Sequence, residues 1–91
     1  RVSCLCPQGV NTNMLKGGDN PAGGETTNVV RVAGVVLEPA DVAQVVVDCI
    51  RAETFLILPH PEVAQYATLK ASENERWLAG MRKLQMRVFG V

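Results

Sequence analysis

The sequence lacks a surplus of charge of either sign. Its 91 residues include nine Lys or Arg and nine Asp or Glu, so the formal net charge is zero. Proteins that bind nucleic acid or an anionic membrane electrostatically carry a basic surface. The composition therefore supports no nucleic acid and no membrane as partner.

The sequence also lacks an apolar run of membrane-spanning length and a signal-peptide pattern. It has three cysteines, an odd number that cannot all pair within one chain. Without a secretory signal, we expect reduced thiols in a cytoplasmic protein.

The residues that could bind a metal are few. Cys4 and Cys6 would point the same way on a strand, but no second cysteine pair or histidine completes four ligands. We predict no metal site, and we expect Cys4, Cys6 and Cys49 to be buried core thiols. His60, between two prolines, could line a pocket, although a solvent-facing loop is the expected position. A small metal or redox module built on Cys4, Cys6 and His60 is the least favoured hypothesis.

The chain is short and apolar. It has room for one small domain, and 47 % of its residues are hydrophobic. A domain of this size buries only about 60–65 % of its unfolded surface, so we expect a missing partner surface. Because Arg1 leads straight into apolar sequence without a methionine, we also expect a segment cut from a longer protein.

Four segments follow one another along the chain. Residues 1–14 contain an apolar strand, "RVSCLC", and a turn-rich loop. Residues 15–37 contain two Gly-Gly pairs, a mobile lid composition, and "VVRVAGVVL", which fits a short helix or an extended run. Residues 38–60 read as a helix and a short buried strand, "TFLIL". Residues 61–91 read as helices.

Local signals set the predicted helix ends. Pro39 suits the first turn of a helix, and Arg51 suits the last turn, where a cation is favoured. A second helix should begin at Pro61 and run to about Lys70. Ser72 and Glu75 form a capping-box pattern that should restart a helix. Its apolar stripe is Trp77, Leu78, Met81 and Leu84.

The order of elements predicts an α/β fold. A helix between two apolar strands indicates a right-handed parallel crossover. Two parallel strands are not a stable sheet, so we expect the C-terminal part of a Rossmann-type parallel sheet, with further strands beside it.

The stretch "RVSCLCPQGVNTNML" resembles the C-terminal part of the short-chain dehydrogenase/reductase family. There, a strand ends in a Pro-Gly-x-Val-x-Thr loop against the nicotinamide. Gln8 stands where the family usually has glycine, with Gly9 next. "LEPADVAQVVVDCI" and "FLILPHPEV" resemble the later helix and last strand. The residues that match the loop and the hydrophobic position after it are Pro7, Val10, Asn11, Thr12 and Met14.

The resemblance implies an NAD or NADP cofactor and a small alcohol or carbonyl substrate. Ligands of open α/β sheets bind beyond the carboxyl ends of the strands, where a hydroxyl such as that of Thr12 can fix the nicotinamide ring or reach the pyrophosphate. Met14 and Leu15 would belong to the substrate lid. The implied cofactor-binding residues are Pro7, Gln8, Gly9, Val10 and Thr12.

Tyr66 and Lys70 reproduce the spacing of the family's catalytic Tyr-x-x-x-Lys, and a helix places both on one face. In the family that pair precedes the strand that "RVSCLC" resembles, whereas "YATLK" follows the last strand. We therefore interpret Tyr66 and Lys70 as part of a surface helix. No catalytic residue is expected within these 91 residues.

Two hypotheses follow. The first is that the chain is part of an NAD(P)-dependent oxidoreductase, supplying the nicotinamide-side loop, the lid and homo-oligomer contacts through its last strand and helices. The alternative is a truncated relative that serves as a structural or interaction module without catalysis.

Overall fold

The computed structural model describes residues 1–19 and 28–91. Residues 20–27, part of the predicted lid over 15–37, lie outside the described residues. Five helices and two strands are present in the described part of the chain, in the order β1, α1, α2, α3, β2, α4, α5. Their bounds are β1 Cys4–Leu5, α1 Asn13–Gly17, α2 Val29–Ala33, α3 Pro39–Arg51, β2 Leu56–Ile57, α4 Glu62–Ser72 and α5 Asn74–Phe89.

The predicted Rossmann-type fold class is wrong. The structure is mostly helical, with 60 % helix and 7 % strand, and its described residues form only a two-stranded parallel sheet. Cys4 pairs with Leu56 and Leu5 pairs with Ile57. A strand lengthens when neighbours satisfy its backbone groups on both edges. With a single described neighbour for each strand, the pairing covers only two residues in each.

The loop after β1 continues beside the segment that follows α2. A parallel bridge joins Val10 to Leu37. The Leu37 N–H donates to the Gly9 carbonyl at 3.0 Å, and the Asn11 N–H donates to the Leu37 carbonyl at 2.8 Å. The ambiguous stretch "VVRVAGVVL" therefore contains both structures, the helix α2 first and extended backbone after it.

Helix α3 has the predicted ends. Pro39 is in its first turn and Arg51 in its last. After the helix, the N–H groups of Glu53 and Thr54 donate to the carbonyls of Ile50 and Cys49. Glu53 adopts a positive φ of 58°, the left-handed conformation that ends many helices at glycine. The chain then turns into β2.

The last two helices are separated at Glu73, where φ is −133° and ψ is 63°. The interruption was predicted, but the capping box was not formed. The Ser72 hydroxyl donates to the Thr68 carbonyl within α4 at 2.7 Å, and α5 has no side-chain cap. Gly90, with φ of 72°, ends α5.

The core is small. Its buried hydrophobic side chains are Leu15, Val42, Ile57 and Val88. Trp77 and Leu84 of the predicted stripe are half-buried, whereas Leu78 and Met81 are exposed. Among residues 1–19 and 28–91, no helix has the length and apolar character needed to span a membrane.

Two expectations about burial are wrong. Cys4 is exposed, and Cys6 and Cys49 are only partly covered. For Cys4 the reason is that the described residues provide no strand beside β1 other than β2. His60 was expected to face solvent but is only 1 % exposed. Its ring fills the space between the loop after β1 and the segment after α2.

Candidate cofactor pocket

A cavity of about 380 Å³ lies between the loop after β1, helix α1 and the start of α2. The seven residues that the sequence assigned to the cofactor and the lid all line it. Asn28 and Val30 of the opposite wall were not predicted. The complete lining is Pro7, Gln8, Gly9, Val10, Thr12, Met14, Leu15, Gly18, Asn28 and Val30.

The buried ring of His60 holds the first wall in place. The Gln8 N–H donates to His60 Nδ1 at 3.0 Å. His60 Nε2 lies 3.0 Å from the Gly9 carbonyl oxygen and 3.1 Å from that of Val35. Because Nδ1 accepts a hydrogen bond, the ring proton is on Nε2, which donates to these two carbonyls. One ring from the loop after β2 thus joins the first wall of the cavity to the segment after α2.

Gly9 lies in a closely packed part of the wall. A Cβ at this position would lie 3.1 Å from Val30 Cγ1 and 3.3 Å from Val36 Cγ2. A side chain here would require Val30 and Val36 to move by a few tenths of an ångström, so glycine suits this close approach. The glycine therefore sets the width of the cavity at this point.

Thr12 is the N-cap of α1. Its Oγ1 accepts a hydrogen bond from the Leu15 N–H at 3.5 Å, which satisfies a backbone donor that the helix itself cannot pair. Leu15 is 7 % exposed, whereas Met14 is 90 % exposed. The helix thus places Leu15 in the cavity wall and Met14 at its rim.

Asp19, Asn28 and Arg31 form a polar network that links the chain before residue 20 to the chain after residue 27. Asn28 Nδ2 donates to the Leu15 carbonyl at 2.9 Å and to Asp19 Oδ1 at 3.0 Å. Arg31 Nε donates to the same Asp19 oxygen at 2.7 Å. The Arg31 guanidinium, followed by the Asn28 amide, holds the pKa of the Asp19 carboxyl below its usual value. Asp19 in turn raises the pKa of Arg31.

This network was not predicted, although one local signal was available. Asn28 precedes α2, and its Oδ1 accepts a hydrogen bond from the Val30 N–H at 3.2 Å. Asparagine before an apolar helical run is a common N-cap. The long-range bonds of Asn28 to Leu15 and Asp19 have no such local signature.

The described residues that line the cavity offer apolar, amide and hydroxyl groups. Among the described residues around the cavity, none carries a carboxyl, imidazole, thiol, phenol or ammonium group. Apolar side chains form most of the surface, and amide and hydroxyl groups interrupt it. An apolar lining with a few polar groups is typical of small-molecule sites in general.

The backbone N–H and C=O of Val10 are not used in the bridge to Leu37. The neighbouring residues Gly9 and Asn11 make the two hydrogen bonds to Leu37. In a parallel bridge the N–H and C=O of the central residue then point to the other side. Within the described residues, the Val10 backbone groups have no hydrogen-bond partner.

The residues of the metal hypothesis are not arranged as one site. Within residues 1–19 and 28–91, no three His, Cys, Asp or Glu side chains are grouped to hold an ion. Both ring nitrogens of His60 are engaged with backbone groups. Cys4 Sγ and Cys6 Sγ lie 3.8 Å apart, so these two thiols do face the same way.

Tyr66 and Lys70 lie away from the cavity lining, on α4. The Tyr66 side chain is on the surface, 44 % exposed, as predicted for a surface helix. Lys70 Nζ lies 4.8 Å from the centroid of the Trp77 ring on α5, within the range of a cation–π contact. Lys70 thus has a structural contact of its own.

Comparison with known proteins gives no match. No family model matches the chain, and neither a curated protein nor a solved structure matches it. The function has to be argued from the residues of the site.

Proposed function

We propose that the chain supplies the nicotinamide-side wall of an NAD- or NADP-dependent oxidoreductase that acts on an alcohol or carbonyl substrate. One observation carries the proposal. The seven residues that the sequence resemblance assigns to the cofactor and the lid all line this cavity.

In this proposal the nicotinamide ring lies against Leu15 and Val30, and its carboxamide pairs with the backbone N–H and C=O of Val10. A carboxamide presents one donor group and one acceptor, which complements these two groups. The His60 side chain keeps the Gln8–Gly9 backbone fixed while the nicotinamide binds. Thr12 lies beside the ring or the pyrophosphate, and Met14 lies on the substrate side.

The proposed chemistry needs residues from outside this chain. Hydride transfer between a nicotinamide and an alcohol requires a general acid/base, and the described cavity wall has none. A serine, a tyrosine and a lysine contributed by another segment would perform that role. The 91 residues alone should be inactive. We place the enzyme in the cytoplasm, in keeping with its free thiols, as a homo-oligomer joined through β2 and the C-terminal helices.

Titration of the natural protein with NADH and NADPH tests the proposal. Thr12→Ala should weaken cofactor binding by about 1–2 kcal/mol, the contribution of one or two hydrogen bonds. Thr12→Ser keeps the hydroxyl and should bind as the wild type does. Thr68→Ala is the matched control, because this threonine is exposed on α4 and its hydroxyl bonds only to Ala64.

Weaker binding by Thr12→Ala could come from loss of the α1 cap or from loss of a cofactor contact. The variant Thr12→Asp distinguishes these two causes. Aspartate caps a helix as well as threonine does, but its charge would repel the cofactor phosphates. Weaker binding by Thr12→Asp with α1 intact supports a contact at this position. Equal affinity in all Thr12 variants would contradict the proposal.

The exposed apolar surface favours the second candidate, a structural or interaction module without catalysis. Val2, Phe55, Met86 and Phe89 are each mostly exposed, and contact with a partner would remove their apolar surface from water. The intact mass of the natural protein distinguishes the candidates. A natural chain of only these 91 residues that binds neither cofactor would favour the module.

A further inference from the structure

Two thiols are held side by side on the surface of the sheet. Cys4 is the first residue of β1, and Cys6 is the residue directly after this strand. Alternate residues of a strand project to the same side, and their Sγ atoms are 3.8 Å apart. The backbone is fixed at both, because the Cys4 N–H donates to the Phe55 carbonyl and the Cys6 N–H donates to the Ile57 carbonyl.

The separation of the sulfurs is closer to that of a metal-bridged pair than to that of a disulfide. A disulfide needs an S–S distance of about 2.0 Å, so the pair would have to close by almost 2 Å. With metal–thiolate bonds of about 2.3 Å, sulfurs on opposite sides of one ion lie about 4.6 Å apart. The two sulfur atoms would have to move apart by less than 1 Å to reach that distance, which a small rotation of the side chains allows.

The number and type of ligands select the class of ion. Zinc prefers four ligands in a structural site, and no third ligand-type side chain is grouped with these thiols among the described residues. Soft thiolates favour copper(I) among the biological ions, and this d¹⁰ ion is satisfied by two sulfur ligands. Hard cations such as Mg²⁺ and Ca²⁺ require oxygen ligands.

We propose that Cys4 and Cys6 form a two-thiolate site for a soft monovalent cation, copper(I). On binding, two S–H bonds break and two Cu–S bonds form, so two protons leave to solvent. Copper remains in the +1 state, and no oxidant or reductant is consumed. The exposure of Cys4 gives a copper donor direct access.

The test uses the natural protein, reduced and without oxygen, in competition with a coloured copper(I) chelator. The wild type should take one copper per chain from the chelator. Cys4→Ser and Cys6→Ser should each weaken copper binding by roughly 10²-fold or more, because each removes the intramolecular second ligand. Cys49→Ser is the matched control and should bind copper as the wild type does.

A second measurement does not depend on variants. Copper should protect Cys4 and Cys6 of the wild type from alkylation while Cys49 is labelled at its usual rate, as read by peptide mass mapping. Three results would overturn the proposal: no copper retained against the chelator, one copper shared between two chains, or equal loss of binding in Cys49→Ser. The site does not depend on a nicotinamide cofactor, so its failure and that of the proposed oxidoreductase are separately visible.

Discussion

His60 Nδ1 accepts a hydrogen bond from the backbone N–H of Gln8 at 3.0 Å, across 52 residues of sequence. The same ring reaches the Gly9 and Val35 carbonyls through Nε2. A side chain from the loop after β2 therefore fixes the backbone that forms the first wall of the candidate cofactor pocket. Its burial makes each of these contacts costly to lose.

His60→Ala should destabilise the natural protein by about 2–4 kcal/mol, because buried backbone groups lose their partners. His60→Asn should lose less, since Asn Oδ1 can replace Nδ1 as acceptor for the Gln8 N–H. Hydrogen exchange read by NMR measures this directly. The Gln8 amide should exchange fastest in His60→Ala, and an unchanged Gln8 exchange rate would contradict the assigned tautomer.

Asp19 should make the stability of the natural protein depend on acid pH. The pKa of Asp19 is lowered in the folded state by Arg31 and Asn28. Its contribution is therefore complete above its unfolded pKa of about 4 and is lost as the pH falls through the lower folded value. The difference in Tm between the wild type and Asp19→Asn should be largest above about pH 4 and shrink in acid. A difference that stays constant down to pH 2 would argue against this role.

Tyr66→Phe should leave turnover of the complete enzyme nearly unchanged. The ring is on the surface of α4, and Lys70 contacts Trp77. A catalytic acid/base contributes typically 10²–10⁴-fold, so steady-state kinetics separate the two outcomes easily. A hundredfold loss of kcat with the fold preserved would mean that Tyr66 is the acid/base after all.

The isolated 91 residues should be oligomeric, aggregated or largely unfolded, and should bind neither NAD(H) nor NADP(H). At about 25 cal/mol per Å², a few hundred Å² of apolar surface left uncovered forfeits several kcal/mol, comparable to the stability of a small domain. The uncovered surface comes from the two exposed residues of β1, Cys4 and Leu5, and from the large exposed apolar side chains. Sedimentation velocity and calorimetry measure the outcome. A monodisperse monomer with a sharp thermal transition would instead favour the free-standing module.

The sequence determined the features that depend on a few neighbouring residues. Helix α3 begins at Pro39 and ends at Arg51 as predicted, because the fixed φ of proline and the charge near each helix end act within one turn. The interruption before α5 was also foreseen, although the expected bond between Ser72 and Glu75 gave way to one within α4. Seven of the ten residues that line the cavity are among those that the sequence assigned to the cofactor and the lid.

Only the tertiary structure decided how far the strands extend and where His60 lies. "RVSCLC" and "TFLIL" have strand composition, yet strand length depends on the number of neighbouring strands, which composition does not encode. Two residues of each are paired. His60 is buried because Gln8, Gly9 and Val35, all distant in sequence, meet around its ring. A hydrogen-bond site assembled from three separate segments has no local signature, so its physical cause exists only in the folded chain.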